Sequence, residues 1–537
     1  MRSADNQGYA WYTVCMDTAL VELPDDVERL KKIVVEQAQR HHNEVAALQR
    51  ALLEYKEKYE VLRRKFFGAS SERRKKEEES LQQGWLFNEA ETYAEAPGAP
   101  AKKVAVAAHE RKARGRKALP ENLERREIVH ELPLEERTCP ACGALRPEIG
   151  QEVREELEII PARAVVNVHI LKKYAPCQCA SCQKPIVQAE GPTQLFPGSS
   201  YSNHTVAFFL TAKYVDAQPF YRMEGILSRW GIETTCQSLC KVAVAAGRAL
   251  GELIEELRKD LKASPVLQMD ETVVQVLHEK NRSAQSKSYM WVARGYHERK
   301  PLLFFHYHPT RAKEIVQTFL AGYRGYVQTD GYAGYSEVGC SPGVTHVGCL
   351  AHVRRKFFEA EKQGSSDASS FLSQIAELYH AEHTLRQCYE GGSITTEAFL
   401  EARSGAQVPR LSAMKGWLLA REGRSPPSLA FGKAVQYALG QWDRIEKYLE
   451  HELLTPDNNF VENAIRPFVM GRKNWLFSNT PLGAHASAGI YSMIETAKAN
   501  GHEPYKYLCY LFDALPKAKS KEEKRSLLPY ILEPGSY

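Results

Sequence analysis

Three acidic residues stand where short apolar segments meet turns or helix starts. Asp270 lies inside Val266-Leu267-Gln268-Met269-Asp270-Glu271-Thr272-Val273-Val274, an apolar strand with an acid at its centre. Asp330 closes Gly325-Tyr326-Val327-Gln328-Thr329-Asp330, just before Gly331, and Glu462 opens the helical run Phe460 to Arg466. Carboxylates placed side by side in a low dielectric repel one another, and divalent cations remove that cost. Two such ions, Mg2+ or Mn2+ held about 3.5–4 Å apart, suit in-line phosphoryl transfer, activating the attacking oxygen and stabilising the leaving one. Each acid also has an ordinary alternative: Asp330-Gly331 could simply turn the chain, and Glu462 could form a surface ion pair. The case rests on all three standing on suitable elements in a suitable order. Glu462 is preferred to Asp457, which reads as a helix cap.

Cysteines supply a second chemistry. Cys139-Pro140-Ala141-Cys142-Gly143 has the form of a metal knuckle, and Cys179 and Cys182 repeat the spacing. Four thiolates in two such pairs suit structural Zn2+ in a closed tetrahedral site, with Cys177 able to replace Cys179. Basic residues supply a third. Arg114-Gly115-Arg116-Lys117 can lie in a minor groove or serve as a solubilising linker. Arg354, Arg355 and Lys356 follow Cys349 and His352 on a helical segment and form a phosphate-binding face; the Cys349/His352 pair could be half a metal site, but His352 is expected rather to contact DNA or the active site. Arg466, Arg472 and Lys473 share the helical run of Glu462 and can grip phosphates.

The elements that must hold these groups follow from periodicity. Tyr289–Ala293 and Leu302–Phe305 read as antiparallel neighbours of the Asp270 strand, Ala312–Leu320 as a helix, and residues 325–330 as the next strand. With acids on the first and fourth strands, the plan is ribonuclease-H-like inside a multidomain α+β chain. A long helical stretch at about 365–450, with Trp417 and Trp442 as core candidates, is an insertion between the second and third acids.

Upstream, Val45, Leu48, Leu52, Tyr55, Tyr59, Leu62 and Phe66 form a heptad seam, so residues 25–88 are expected to self-associate as a coiled coil. Residues 1–24 carry no pattern. Residues 89–120 read as a flexible basic linker, and 121–198 as a zinc ribbon containing strand-like alternation at Val165, Val166, Val168 and Ile170. Residues 199–262 have a helix-turn-helix outline: one helix breaks at Gly231 and the next starts near Thr234 or Thr235. The catalytic domain spans 263–500, with a C-terminal extension at 501–537.

Composition allows this plan. The chain has 537 residues, 43% hydrophobic and 26% charged, with a net charge of +5, which permits nucleic acid as a partner without requiring it. No apolar run approaches the roughly 20 residues of a membrane span and no signal peptide opens the chain. A cytoplasmic protein with 12 reduced cysteines is expected.

The chain resembles the IS66 family of bacterial insertion-sequence transposases. The resemblance rests on Met269-Asp270-Glu271-Thr272, Thr329-Asp330-Gly331-Tyr332 and Cys349-Leu350-Ala351-His352-Val353-Arg354-Arg355-Lys356-Phe357. Glu462-Asn463-Ala464-Ile465-Arg466-Pro467, Gly471-Arg472-Lys473-Asn474-Trp475, Lys65-Phe66-Phe67-Gly68 and the cysteine pairs also carry it. It implies a DDE transposase with a leucine-zipper-like N-terminus, a zinc finger and a helix-turn-helix. It further implies terminal inverted repeats as substrate, and small accessory proteins of the same element as partners. The residues leave two alternatives, a metal-dependent nuclease without joining activity and a non-catalytic DNA-binding regulator.

Overall fold

The computed structural model describes residues 27–28, 31–32, 34–45, 48, 164–174, 187–335, 337–424 and 426–537. Most of the heptad seam, Arg114, Arg116 and the cysteines at 139, 142, 177, 179 and 182 lie outside the described residues. The described residues divide into two compact units: 193–222 with 235–537 and the N-terminal described residues, and 164–174, 187–192 and 223–234. In the second unit, Lys173–Tyr174 pairs antiparallel with Val187–Gln188. The alternation before it forms no strand. Val165, Val166, Val168 and Ile170 are all exposed, so their apolar faces gain nothing by extension into a sheet.

Among the described residues from 193 onward, four helices precede the main sheet: α1 (Asn203–Tyr214), α2 (Phe220–Arg229), α3 (Cys236–Ala249) and α4 (Gly251–Ala263). Gly231 takes φ +79°, and Thr235 caps α3, its Oγ1 accepting from Ser238 N at 3.2 Å. Leu239, Ala243 and Ala246 line the buried side of α3, while Gln237, Lys241 and Arg248 are exposed.

The sheet has six strands: β1 (Val266–Val276), β2 (Lys287–His297), β3 (Lys300–His308), β4 (Gly325–Gln328), β5 (Val344–Val347) and β6 (Phe477–Ser478). Their order is β3-β2-β1-β4-β5, and β6 pairs with the far end of β1. The first three strands are antiparallel, as continuous hairpin-like neighbours; β4 lies parallel to β1, and β5 parallel to β4. Helix α5 (Lys313–Leu320) makes the crossover from β3 to β4. The edge at β3 is covered rather than exposed. Its outward N–H groups at Leu303 and Phe305 donate to Thr496 Oγ1 at 3.0 Å and Ser492 Oγ at 2.8 Å, both on α11 (Pro481–Ala499). This satisfies an edge that would otherwise template pairing with another chain. Helix α11 is buried almost all round from Ala484 to Ala497, and a Cβ at Gly247 of α3 would meet the Ala486 backbone at 2.6 Å.

After β5 come α6 (Leu350–Lys362), α7 (Ser366–Glu390), α8 (Thr396–Glu422) and α9 (Ala430–Ile445), then α10 (Asn459–Trp475). Their core joins Phe357, Phe371, Leu411, Phe431 and Trp442, with Trp417 packed half-buried on its margin. The rings of Phe357 and Phe371 lie 4.3 Å apart. The chain then turns back: Arg525 and Tyr530 bond to Asp260 of α4, and Asn203 of α1 donates to Phe512 O in α12 (Pro504–Ala514). Residues 501–537 are thus packed into the same unit as the sheet. No helix among the described residues is long and apolar enough to cross a membrane.

Candidate functional site

Asp270 sits at the centre of β1 and Asp330 two residues beyond the end of β4, its parallel neighbour. Glu462 projects from the first turn of α10 and is 5% exposed. The helix is tied to the strand at this point, because Asn458 Nδ2 donates to Met269 O at 2.9 Å. Burial, then the charges of Glu271, Glu462 and Asp330, hold the Asp270 carboxyl well above the ordinary value of 3.8. Burial also raises Asp330. Each aspartate receives a backbone bond: Glu271 N donates to Asp270 at 2.8 Å, and Tyr332 N to Asp330 at 3.0 Å. Asp457 accepts from Asn459 N at 3.1 Å, ordering the chain ahead of α10 as a cap would.

Strands β1 and β4 are locked together just before the acids. Gln268 Nε2 donates to Gln328 Oε1 at 2.8 Å, and Gln328 in turn donates to Thr455 O at 2.7 Å on the approach to α10. Buried amides with satisfied bonds fix register, since a slip would strand them without partners. Gly331 is required by a close approach: a Cβ there would lie 2.2 Å from Tyr437 Oη of α9. The helical insertion therefore reaches the Asp330 turn through a tyrosine.

The basic residues separate. Arg355 is half-buried and close enough to lower the Asp330 carboxyl against the effect of burial, whereas Lys356 is exposed beside Glu359. Arg354 is half-buried. Three consecutive helical residues are about 100° apart, so they span more than one face. On α10, Arg472 donates to Thr272 Oγ1 at 3.3 Å across β1; Arg466 is half-buried and Lys473 exposed. His352 does not lie on an outer surface. Its Nδ1 is 3.3 Å from Cys349 Sγ and 3.7 Å from Glu462 Oε1, and burial lowers it to about 3, leaving the imidazole neutral.

Glu271 is a site residue that sequence reasoning passed over. Its side chain is 1% exposed, held by Arg311 and by the Tyr335 hydroxyl, and Arg311 stacks over Tyr332 at 3.3 Å. Only its position next to Asp270 hinted at it, because its partners come from forty or more residues away.

Comparison with known proteins identifies the class. The family model described as "Transposase IS66 family" matches residues 198–486, more than half the chain. "IS66 C-terminal element" matches 492–530, "zinc-finger binding domain of transposase IS66" 136–183, and "Transposase C of IS166 homeodomain" 54–128. The chain belongs to the IS66 family of transposases. DNA is the partner its domains imply, and the zinc-finger match spans Cys139, Cys142, Cys177, Cys179 and Cys182, which implies structural zinc. Two similar proteins of Sinorhizobium fredii are themselves uncharacterized. Protein y4qI is 27% identical over 549 residues, covering 96% of this chain and 99% of its own. Protein y4jD is 26% identical over 426 residues, covering 77% and 81%.

Proposed function

We propose that this protein is a DDE transposase in which Asp270, Asp330 and Glu462 hold two divalent cations, Mg2+ or Mn2+. It cuts DNA at the terminal inverted repeats of an insertion sequence and joins the freed ends to target DNA. The sheet order β3-β2-β1-β4-β5, with three antiparallel strands followed by two parallel ones, supports a ribonuclease-H-like core. The observation that carries the reading is geometric: Asp270 at the centre of β1, Asp330 just past the end of its parallel neighbour β4, and Glu462 in the first turn of α10, which Asn458 Nδ2 ties to Met269 O at 2.9 Å. Such a cluster is costly alone, and its oxygens are the hard donors that Mg2+ and Mn2+ prefer. When bound, the ions would activate the attacking oxygen and neutralise charge on the leaving one.

The protein's own residues bind and orient. Arg355, whose charge reaches Asp330, and Arg472, which bonds Thr272 on β1, would hold the scissile phosphate, while Arg354, Lys356, Arg466 and Lys473 follow the DNA backbone. A water oxygen attacks phosphorus, the bond to the 3′ oxygen breaks, and that oxygen leaves as a hydroxyl. The new 3′ hydroxyl then attacks a target phosphodiester, forming one P–O bond as the target's own 3′ oxygen departs. No covalent protein–DNA bond is needed. Sequence reading falls to the zinc ribbon, to α2–α3 in the manner of a helix-turn-helix, and to the linker with Arg114 and Arg116. The heptad seam would pair copies of the chain.

The test uses labelled terminal-repeat DNA and a target plasmid with Mg2+ or Mn2+, supplied with the small accessory proteins of the same element. Joined products support the transposase. Cleavage without joining indicates a nuclease on the same scaffold, and binding without chemistry a regulator.

A further inference from the structure

Beside the three acids lies a second set of ligand types. Cys349 is the N-cap of α6 and His352 stands one turn in, so their spacing alone brings Sγ and Nδ1 to the same side. Glu462 reaches the pair from the first turn of α10. One ligand atom from each residue falls within 4.8 Å of the other two, and the closest separations are 3.3 Å from Sγ to Nδ1 and 3.7 Å from Nδ1 to Oε1. Zinc–sulfur and zinc–nitrogen bonds of about 2.3 and 2.0 Å in a tetrahedron give edges of about 3.3–3.5 Å. The set is therefore close to the spacing a single ion would impose.

Asn458 N, at the start of α10, donates to Cys349 Sγ at 3.3 Å, an outer bond of the kind that steadies a metal thiolate. The N-termini of α6 and α10 meet here. Both α6 and α10 are bound to one another through Leu350 N and Pro456 O at 2.8 Å, just before α10 begins, so the ligands are held on a rigid frame. Soft sulfur with imidazole and one carboxylate selects zinc over the hard ions that an all-carboxylate set prefers.

We propose that Cys349, His352 and Glu462 form a Zn2+ site, separate from the cysteine ribbon and sharing Glu462 with the acid cluster. Three protein ligands leave the fourth tetrahedral position open, as in reactive rather than closed structural zinc sites. The proposal does not depend on catalysis by Asp270 or Asp330.

The full chain is loaded with Zn2+, separated from excess metal over a weak chelator, and its bound zinc measured per chain. Cys349→Ser and His352→Gln should each hold one ion fewer than the native chain, while Asp270→Ala holds the native number. Equal zinc in all four proteins overturns the site. Since replacing Cys349 can disturb α6, the native chain gives an independent reading. With its ribbon saturated by zinc, it should develop a thiolate-to-cobalt charge-transfer band when Co2+ is added, and no such band overturns the proposal.

Discussion

Asp270 and Glu271 are neighbours on β1 with opposite settings. Successive strand residues face opposite ways. Glu271 meets Arg311 and Tyr335, whereas Asp270 accepts one backbone N–H and is acted on by the charges of Glu271, Glu462 and Asp330. The raised Asp270 carboxyl means that, without a divalent cation, the folded chain binds this proton more tightly than the unfolded one. Stability from the protonated form is fully present below the unfolded value near 3.8 and is lost as pH rises through the higher folded value. Asp270→Asn should therefore unfold at a higher temperature than the native chain at pH 7 in chelator, with the gap closing towards pH 4. Added Mg2+ should raise the native midpoint more than that of the variant. Calorimetric scans at several pH values check both, and a variant less stable at pH 7 would count against repulsion at this position.

At the scale of elements, much of the sheet was legible. The apolar runs at Val266–Val274, Tyr289–Ala293 and Leu302–Phe305 lie inside β1, β2 and β3, and the helix expected at Ala312–Leu320 is α5. Strand β5 was not foreseen. It is only Val344-Thr345-His346-Val347, and its polar members are internal for a tertiary reason: His346 Nε2 lies 2.9 Å from Thr329 Oγ1, beside Asp330. The exposed valines at 165–168 gave the converse error, alternation without a sheet to join. The elements that carry the three acids were legible from strand and helix context; the Glu271 partners and the Tyr437 contact were not, since tertiary packing alone brings them in. Within the insertion, Arg403 of α8 is fully buried and grips Glu382 of α7 with two bonds of 3.1 and 2.8 Å. Arg403→Met leaves Glu382 paired with Arg386 alone, at 3.0 Å, and takes the Arg403 donors from His451 O and Leu454 O, so it should cost about 3 kcal/mol. Urea unfolding followed by tryptophan fluorescence reads this directly, because Trp417 lies on α8 and Trp442 of α9 packs in the same core. Pairing it with Glu382→Leu should recover part of the loss.

For the whole molecule, the acid cluster is one station among several: a proposed seam for self-association, a zinc-finger segment, and a sheet into which the C-terminal helices are packed. Transposition joins two DNA ends, so an assembly of more than one chain is expected, and the seam is the segment with no core of its own. Leu48→Lys with Leu52→Lys should shift the chain to monomer in sedimentation velocity while leaving zinc content unchanged. An unaltered sedimentation coefficient would assign self-association elsewhere. The central claim is that Asp270, Asp330 and Glu462 act as one cation-holding set, and it is tested most directly by measuring end cleavage and joining for Asp270→Asn, Asp330→Asn and Glu462→Gln. The account predicts that each variant still binds terminal-repeat DNA but loses roughly 10³-fold or more in rate, with no further loss when two are combined. Near-native joining by the Asp270 variant, with binding intact, would contradict it.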